Sequence, residues 1–136
     1  MAKHNREEIG EKINAVCRDS GVVFAYLFGS QAKGSTGPLS DIDIALYIGG
    51  LDRKEYSGKK LELLGRLNDA LKTDEIDLVL LNNASPFLAQ RILRDGKLIY
   101  CADEKLRLDY EQITILKYLD WKPYLDKYTR QAIKDG

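Results

Sequence analysis

Two carboxylates and one small loop carry the chemistry this sequence offers. Asp41 and Asp43 are one residue apart in Leu39-Ser40-Asp41-Ile42-Asp43-Ile44. In an extended strand that spacing sends both acids to one face and packs Ile42 and Ile44 on the other. Upstream, an apolar run ends in Leu27-Phe28-Gly29-Ser30-Gln31-Ala32-Lys33-Gly34. Gly29, having no Cβ, allows a sharp turn and a close approach to a ligand. If a helical turn begins at Ser30, its hydroxyl and the free N–H groups of that turn form an anion site, with the helix dipole aimed the same way. Paired carboxylates beside a phosphate-binding loop call for a divalent cation between them. Hard oxygen ligands suit Mg²⁺ or Mn²⁺ better than zinc.

Gly29-Ser30, ten further residues and Asp41-Ile42-Asp43 together resemble the signature of the nucleotidyltransferase superfamily related to DNA polymerase β. Gly29-Ser30-Gln31-Ala32-Lys33-Gly34 further resembles the loop of minimal nucleotidyltransferases, the MNT proteins found as antitoxins beside HEPN toxins. The resemblance covers about the first hundred residues. It implies a third carboxylate on a later strand, and Asp77 in Glu75-Ile76-Asp77-Leu78-Val79-Leu80-Leu81 is the match. Gln31 departs from the pattern, where many relatives carry an aromatic residue or Arg. Taken singly, an Asp-x-Asp can be a turn and cap, a Gly-Ser pair a plain turn, and Asp77 an ion-pair partner. Jointly, three acids in apolar strand contexts would be costly to bury without a cation, which favours a metal–nucleotide site.

Composition narrows the alternatives. The chain has 136 residues, 44% apolar and 31% charged, enough for one domain with a real core. Lys and Arg number 21, as do Asp and Glu, so a protein that mainly coats nucleic acid is not expected. Cys17 and Cys101 form no metal or redox pair and are read as reduced thiols. His4 is the only histidine, which leaves no histidine-based catalytic site. No apolar run is long enough to cross a membrane, and the start of the chain has no signal-peptide pattern, so a cytoplasmic location is expected.

The elements that must position these residues are legible in turn. Ile9, Ile13, Val16 and Cys17 recur at helical spacing behind an Asn5/Glu8 capping box, and Ser20-Gly21 ends the helix. A strand follows over 22–28, and a second over about 41–48. Leu61, Leu64, Leu67 and Leu71 predict a helix ending near Lys72 or Thr73. The strand over 75–81 is apolar on both faces, which predicts an interior position. Ser85-Pro86 opens another helix, Asp95-Gly96 closes it, and 97–101 reads as an edge strand. Beyond Asp103, Leu106, Tyr110, Ile113, Leu116 and Leu119 predict a helix that Pro123 kinks or restarts. Tyr110, Tyr118, Trp121, Tyr124 and Tyr128 crowd into this tail, to cover the core or to meet a partner.

The expected fold is α/β, of the polymerase β-like nucleotidyltransferase type. It has a mixed sheet of about four strands, helices mainly on one face and a C-terminal helical extension. A nucleotidyltransferase domain over 1–102 and the extension over 103–136 divide the chain. The resemblance implies Asp41, Asp43 and Asp77 as catalytic metal ligands, Gly29, Ser30 and Lys33 at the nucleotide, two Mg²⁺ ions replaceable by Mn²⁺, and ATP as substrate. It also implies a tyrosine of a cognate HEPN toxin as acceptor. The other readings are an antitoxin that masks its toxin without catalysis and an enzyme that nucleotidylates a small molecule such as an aminoglycoside.

Overall fold

The computed structural model describes residues 6–29 and 42–135. Helix α1 (Arg6–Arg18) leads into β1 (Val22–Phe28), and β2 (Ile42–Ile48) returns antiparallel to it. A 3-10 turn (Arg53–Glu55) and α2 (Tyr56–Leu71) carry the chain to β3 (Ile76–Leu80), which pairs parallel with β2. A second 3-10 turn (Leu81–Asn83), α3 (Pro86–Asp95), β4 (Lys97–Cys101) and α4 (Glu104–Asp135) complete the order. The sheet runs β3-β2-β1-β4, with β4 antiparallel to β1. This is the mixed four-stranded α/β sheet expected, with the C-terminal helix in place.

Local chemistry explains most boundaries. Gly21 takes a positive φ of 77° to end the α1 turn, and the buried Ser20 hydroxyl donates to the carbonyls of Val16 and Cys17. The Asp52 N–H donates to the Glu55 carboxylate at 3.1 Å, closing a cap before α2. Lys72 in the left-handed region ends α2 and donates its N–H to the Asn68 carbonyl. At α3 the Ser85 hydroxyl accepts the Leu88 N–H at 3.2 Å, and Pro86 occupies the first turn.

Two apolar layers sandwich the sheet. On one face α1 and α2 bury Ile9, Ile13, Leu63, Leu67 and Leu71 against Leu27, Ile44, Leu46 and Leu78. On the other, α3 and α4 cover Phe24, Tyr26 and Ala45 with Ala89, Ile92 and Tyr110. The first cluster holds 15 buried residues and the second six, so the core is weighted to one face while each face carries two helices. Helices mainly on one face therefore describes the weight of the core and not the placing of the helices.

Three sequence expectations shift. The stripe of α2 is Leu63, Leu67 and Leu71, whereas Leu61 is 71% exposed, because Leu61 and Leu63 lie about 200° apart around the helix axis. Strand β3 lies at an edge and not inside the sheet. Its apolar residues are needed on both faces because α2 covers one side and α3 and α4 the other, even at the rim. The tail is one helix through Pro123. Its inner side is built from Arg107, Tyr110, Glu111, Thr114 and Tyr118, leaving Ile113, Leu116 and Leu119 exposed. The capping residue Asn5 lies outside the described residues. Among the described residues no helix is long and apolar enough to cross a membrane.

Burial also sets the alkaline limit of this fold. The Cys17 thiol, packed in the larger core, is pushed up to about 12, and Tyr110 is pushed up to about 12, chiefly by burial in both cases. Tyr26 moves the same way, through burial and then its hydrogen bond to Glu111. Raised acids hold their protons more tightly when folded, so this stabilisation is complete below the ordinary thiol value of 9.0 and is lost as the pH rises towards 12. Chemical denaturation at pH 8, 9.5 and 10.5 is expected to show falling stability across that series, with Cys17 resisting alkylation until the protein unfolds.

Candidate active site

The end of β1 and the starts of β2 and β3 meet at one end of the sheet. Phe28 is the register partner of Asp43 across the antiparallel pair, and Asp43 is the register partner of Asp77 across the parallel pair. Neighbouring strands lie about 4.8 Å apart. Side chains at paired positions share a face, so the two carboxylates stand side by side. That face also carries Ala45, Tyr47 and Val79 further along, which α3 and α4 cover. The backbone hydrogen bond from Ile42 N–H to the Glu75 carbonyl, 3.0 Å, ties the two strands together where the acids emerge. Asp43 is half-buried and Asp77 is exposed.

Gly29 is the residue that makes room. Its φ is +70°, a region that L side chains rarely adopt, and a Cβ placed there would lie 2.0 Å from Asp43 Oδ2 and 3.0 Å from its Cγ. The Asp43 carboxylate therefore rests against the glycine backbone at the point where the loop leaves β1. No side chain larger than hydrogen fits without moving that acid. Asp43 and Asp77 offer hard oxygen donors from adjacent strands, one of them open to solvent, and this donor set suits a divalent cation of the Mg²⁺ class.

Of the residues expected at the site, the structure brings together Gly29, Asp43 and Asp77. Ser30, Lys33 and Asp41 lie outside the described residues. Sequence reasoning missed Gly96 as a support. Its N–H donates to the Ile92 carbonyl at 2.7 Å, and a Cβ there would meet that carbonyl at 2.5 Å and the Leu27 carbonyl at 3.2 Å. The turn between α3 and β4 thus presses on the last residues of β1. Asp95-Gly96 was legible as a helix stop, but nothing local in it tells of contact with a strand 68 residues earlier.

A family model for polymerase β and nucleotidyltransferases matches residues 11–105. The chain belongs to the polymerase β-like nucleotidyltransferase family. Members of this family act on a nucleoside triphosphate with a divalent metal, in keeping with the hard carboxylate pair. The chain is 40% identical over 111 residues to the protein adenylyltransferase MntA of Shewanella oneidensis, spanning 81% of this chain and 72% of that one. It is 35% identical over 95 residues to a protein of Methanocaldococcus jannaschii named provisionally as a protein adenylyltransferase, covering 68% of this chain and 95% of the relative. Among solved structures it resembles a complex of a tri-AMPylated S. oneidensis HEPN toxin with its MNT antitoxin. The TM-score is 0.67 at 29% identity, over 96% of this chain and 97% of that chain.

The contact of Gly29 with Asp43 gives this candidate site a direct test. Gly29→Ala sets a Cβ onto Oδ2 and strains the backbone by about 1–2 kcal/mol. The variant is expected to stay folded with a lowered melting temperature and to lose roughly a hundredfold or more in nucleotidyl transfer, since a displacement of about 1 Å at a reacting centre has that effect. Circular dichroism and a pyrophosphate-release assay read the two quantities.

Proposed function

We propose that this chain is a Mg²⁺-dependent protein adenylyltransferase that moves AMP from ATP to a tyrosine hydroxyl of a cognate HEPN toxin and so acts as its antitoxin. One observation carries the reading: Asp43 and Asp77 stand in register on one face, and Gly29 is cleared for the Asp43 carboxylate. A protein that only masked its toxin would have no use for that clearance. The relatives add the acceptor, because MntA is named a protein adenylyltransferase and the solved complex holds an AMPylated HEPN toxin.

Gly29 and Ser30 would receive the outer phosphates through backbone N–H groups and the serine hydroxyl, with Lys33 supplying positive charge. Asp41 and Asp43 would hold Mg²⁺ against those phosphates, and Asp77 would share a second ion with them. The metal, when bound, lowers the pKa of the acceptor hydroxyl and stabilises charge on the transferring phosphoryl group. Asp77, being exposed on the edge strand, is open to an incoming acceptor and would take the tyrosine proton. The tyrosine oxygen bonds to the α-phosphorus as the bond to pyrophosphate breaks. This reading divides the chain into a nucleotidyltransferase domain over 1–102 and a helical extension over 103–136, working in the cytoplasm.

Incubation of the chain with ATP labelled at the α-phosphate, Mg²⁺ and the HEPN-family protein encoded beside it tests the reading. Label is expected on a tyrosine of that protein, with pyrophosphate released in equal amount. A stable complex with no label would leave masking as the function, and label on an aminoglycoside alone would make the acceptor a small molecule.

A further inference from the structure

Seven large apolar side chains stand well exposed among the described residues, and five of them belong to α4: Leu108, Ile113, Ile115, Leu116 and Leu119. Their placing inverts the usual arrangement of a surface helix. The side of α4 that meets its own domain is polar and aromatic: Glu111 accepts from the Tyr26 hydroxyl at 2.6 Å, the Tyr110 hydroxyl donates to the Leu81 carbonyl at 2.8 Å, and Tyr118 meets Phe87 edge-on. The aliphatic side faces water. Leu108, Ile115 and Leu119 follow at steps of seven and four, which aligns them in one stripe with Leu116 alongside. A helix that turns its aliphatic stripe outward is built to be covered by another surface.

Nothing in the chemistry requires this helix. The family match ends at residue 105, at the beginning of α4. The M. jannaschii relative, of which 95 matched residues are 95%, has only about 100 residues in all. By contrast, the chain seen with a HEPN toxin matches this one over 96% of its length, extension included. The helix therefore lies outside the matched catalytic domain and is present in the chain seen with the toxin.

The path of α4 indicates where the partner would lie. Entering beside β4, where the Ala102 N–H donates to the Val23 carbonyl, the helix meets Leu81, just beyond β3, through Tyr110, then Tyr26 of β1 through Glu111, and then Phe87 in the first turn of α3 through Tyr118. Its exposed residues from 113 to 119 thus come beside the start of α3. Asp77, at the start of β3, lies on the sheet face that α4 covers, at the other end of the strand from Leu81.

We propose that the Leu108, Ile115, Leu116 and Leu119 stripe is the docking face for the acceptor protein, which lays an apolar helix along α4. The step-of-four and step-of-three spacing is the one that helix-to-helix packing uses. The proposal rests on the protein-acceptor reading above.

The full chain carrying Ile115→Glu and Leu119→Glu tests it, with Leu116→Ser and Leu119→Ser as a milder pair. AMP transfer to the HEPN-family protein encoded beside this chain is followed as its concentration varies, sedimentation reads complex formation, and calorimetry reads binding of a non-hydrolysable ATP analogue. The expected result is a KM for the acceptor protein raised at least about tenfold, kcat within about twofold, and unchanged analogue affinity, the pattern of a lost docking contact. An unchanged KM with an unchanged complex overturns the proposal. So does a parent chain that sediments as a dimer and that the substitutions convert to a monomer without touching acceptor binding, since a second copy then covers the stripe. If the parent binds the acceptor but transfers no AMP, the catalytic reading fails by itself, and loss of binding in the variants still decides the docking face.

Discussion

The parallel register of β2 and β3 is the constraint on which the rest of the structure depends. Ile42↔Ile76, Asp43↔Asp77 and Ile44↔Leu78 are paired positions, so one alternation of side chains fills the core with Ile42, Ile44, Ile76 and Leu78 and presents both acids on the opposite face. A slip of one residue would bury a carboxylate among leucines and expose the isoleucines. The apolar core therefore enforces the geometry of the charged site. Parallel pairing also requires a long crossover, which α2 supplies while covering the sheet with Leu63, Leu67 and Leu71.

Around that register, the other parts limit where the acids can go. The antiparallel return from β1 sets Phe28 beside Asp43, and the left-handed turn at Gly29 leaves space for its carboxylate. Gly96 holds the end of β1 from the far side, and Asn82 fixes the opposite end of β2 by bonding both the N–H and the carbonyl of Ile48, at 2.9 and 2.7 Å. Two like charges about 5 Å apart repel by about 1 kcal/mol where water screens them and by more where it does not. The exposure of Asp77 keeps that cost small in the metal-free protein. It also leaves the site open to an incoming acceptor.

Much of this was legible in the sequence because it rests on local signals. Gly29, the alternation around Asp43, the Ser85-Pro86 cap and the Gly21 stop each depend on neighbours within a few residues. Gly29 and Asp43 could be read as a site, but their contact could not, since it requires the register of two strands. The edge position of β3 was hidden because its residues are apolar on both faces, a pattern that helices above and below impose at a rim as well as at a centre. Burial of three acids was accordingly overestimated for Asp77. On α2 the choice of Leu61 over Leu63 was a phase error among closely spaced leucines. On α4 the leucines and isoleucines suggested an inward stripe, whereas Tyr110, Glu111 and Tyr118 take that side through hydrogen bonds and ring contacts.

The central claim is that Asp43 and Asp77 are held together for a cation and not for the stability of the fold. Thermal melting of the parent and of Asp77→Asn, each with and without Mg²⁺ and ATP, tests it most directly when transfer activity is measured on the same samples. The account predicts that the metal-free variant melts at the same or a higher temperature than the parent, because a repulsive partner has gone, while the gain on adding Mg²⁺ with ATP shrinks and transfer is lost. A metal-free variant that is clearly less stable than the parent yet fully active would make Asp77 a structural residue and contradict the account.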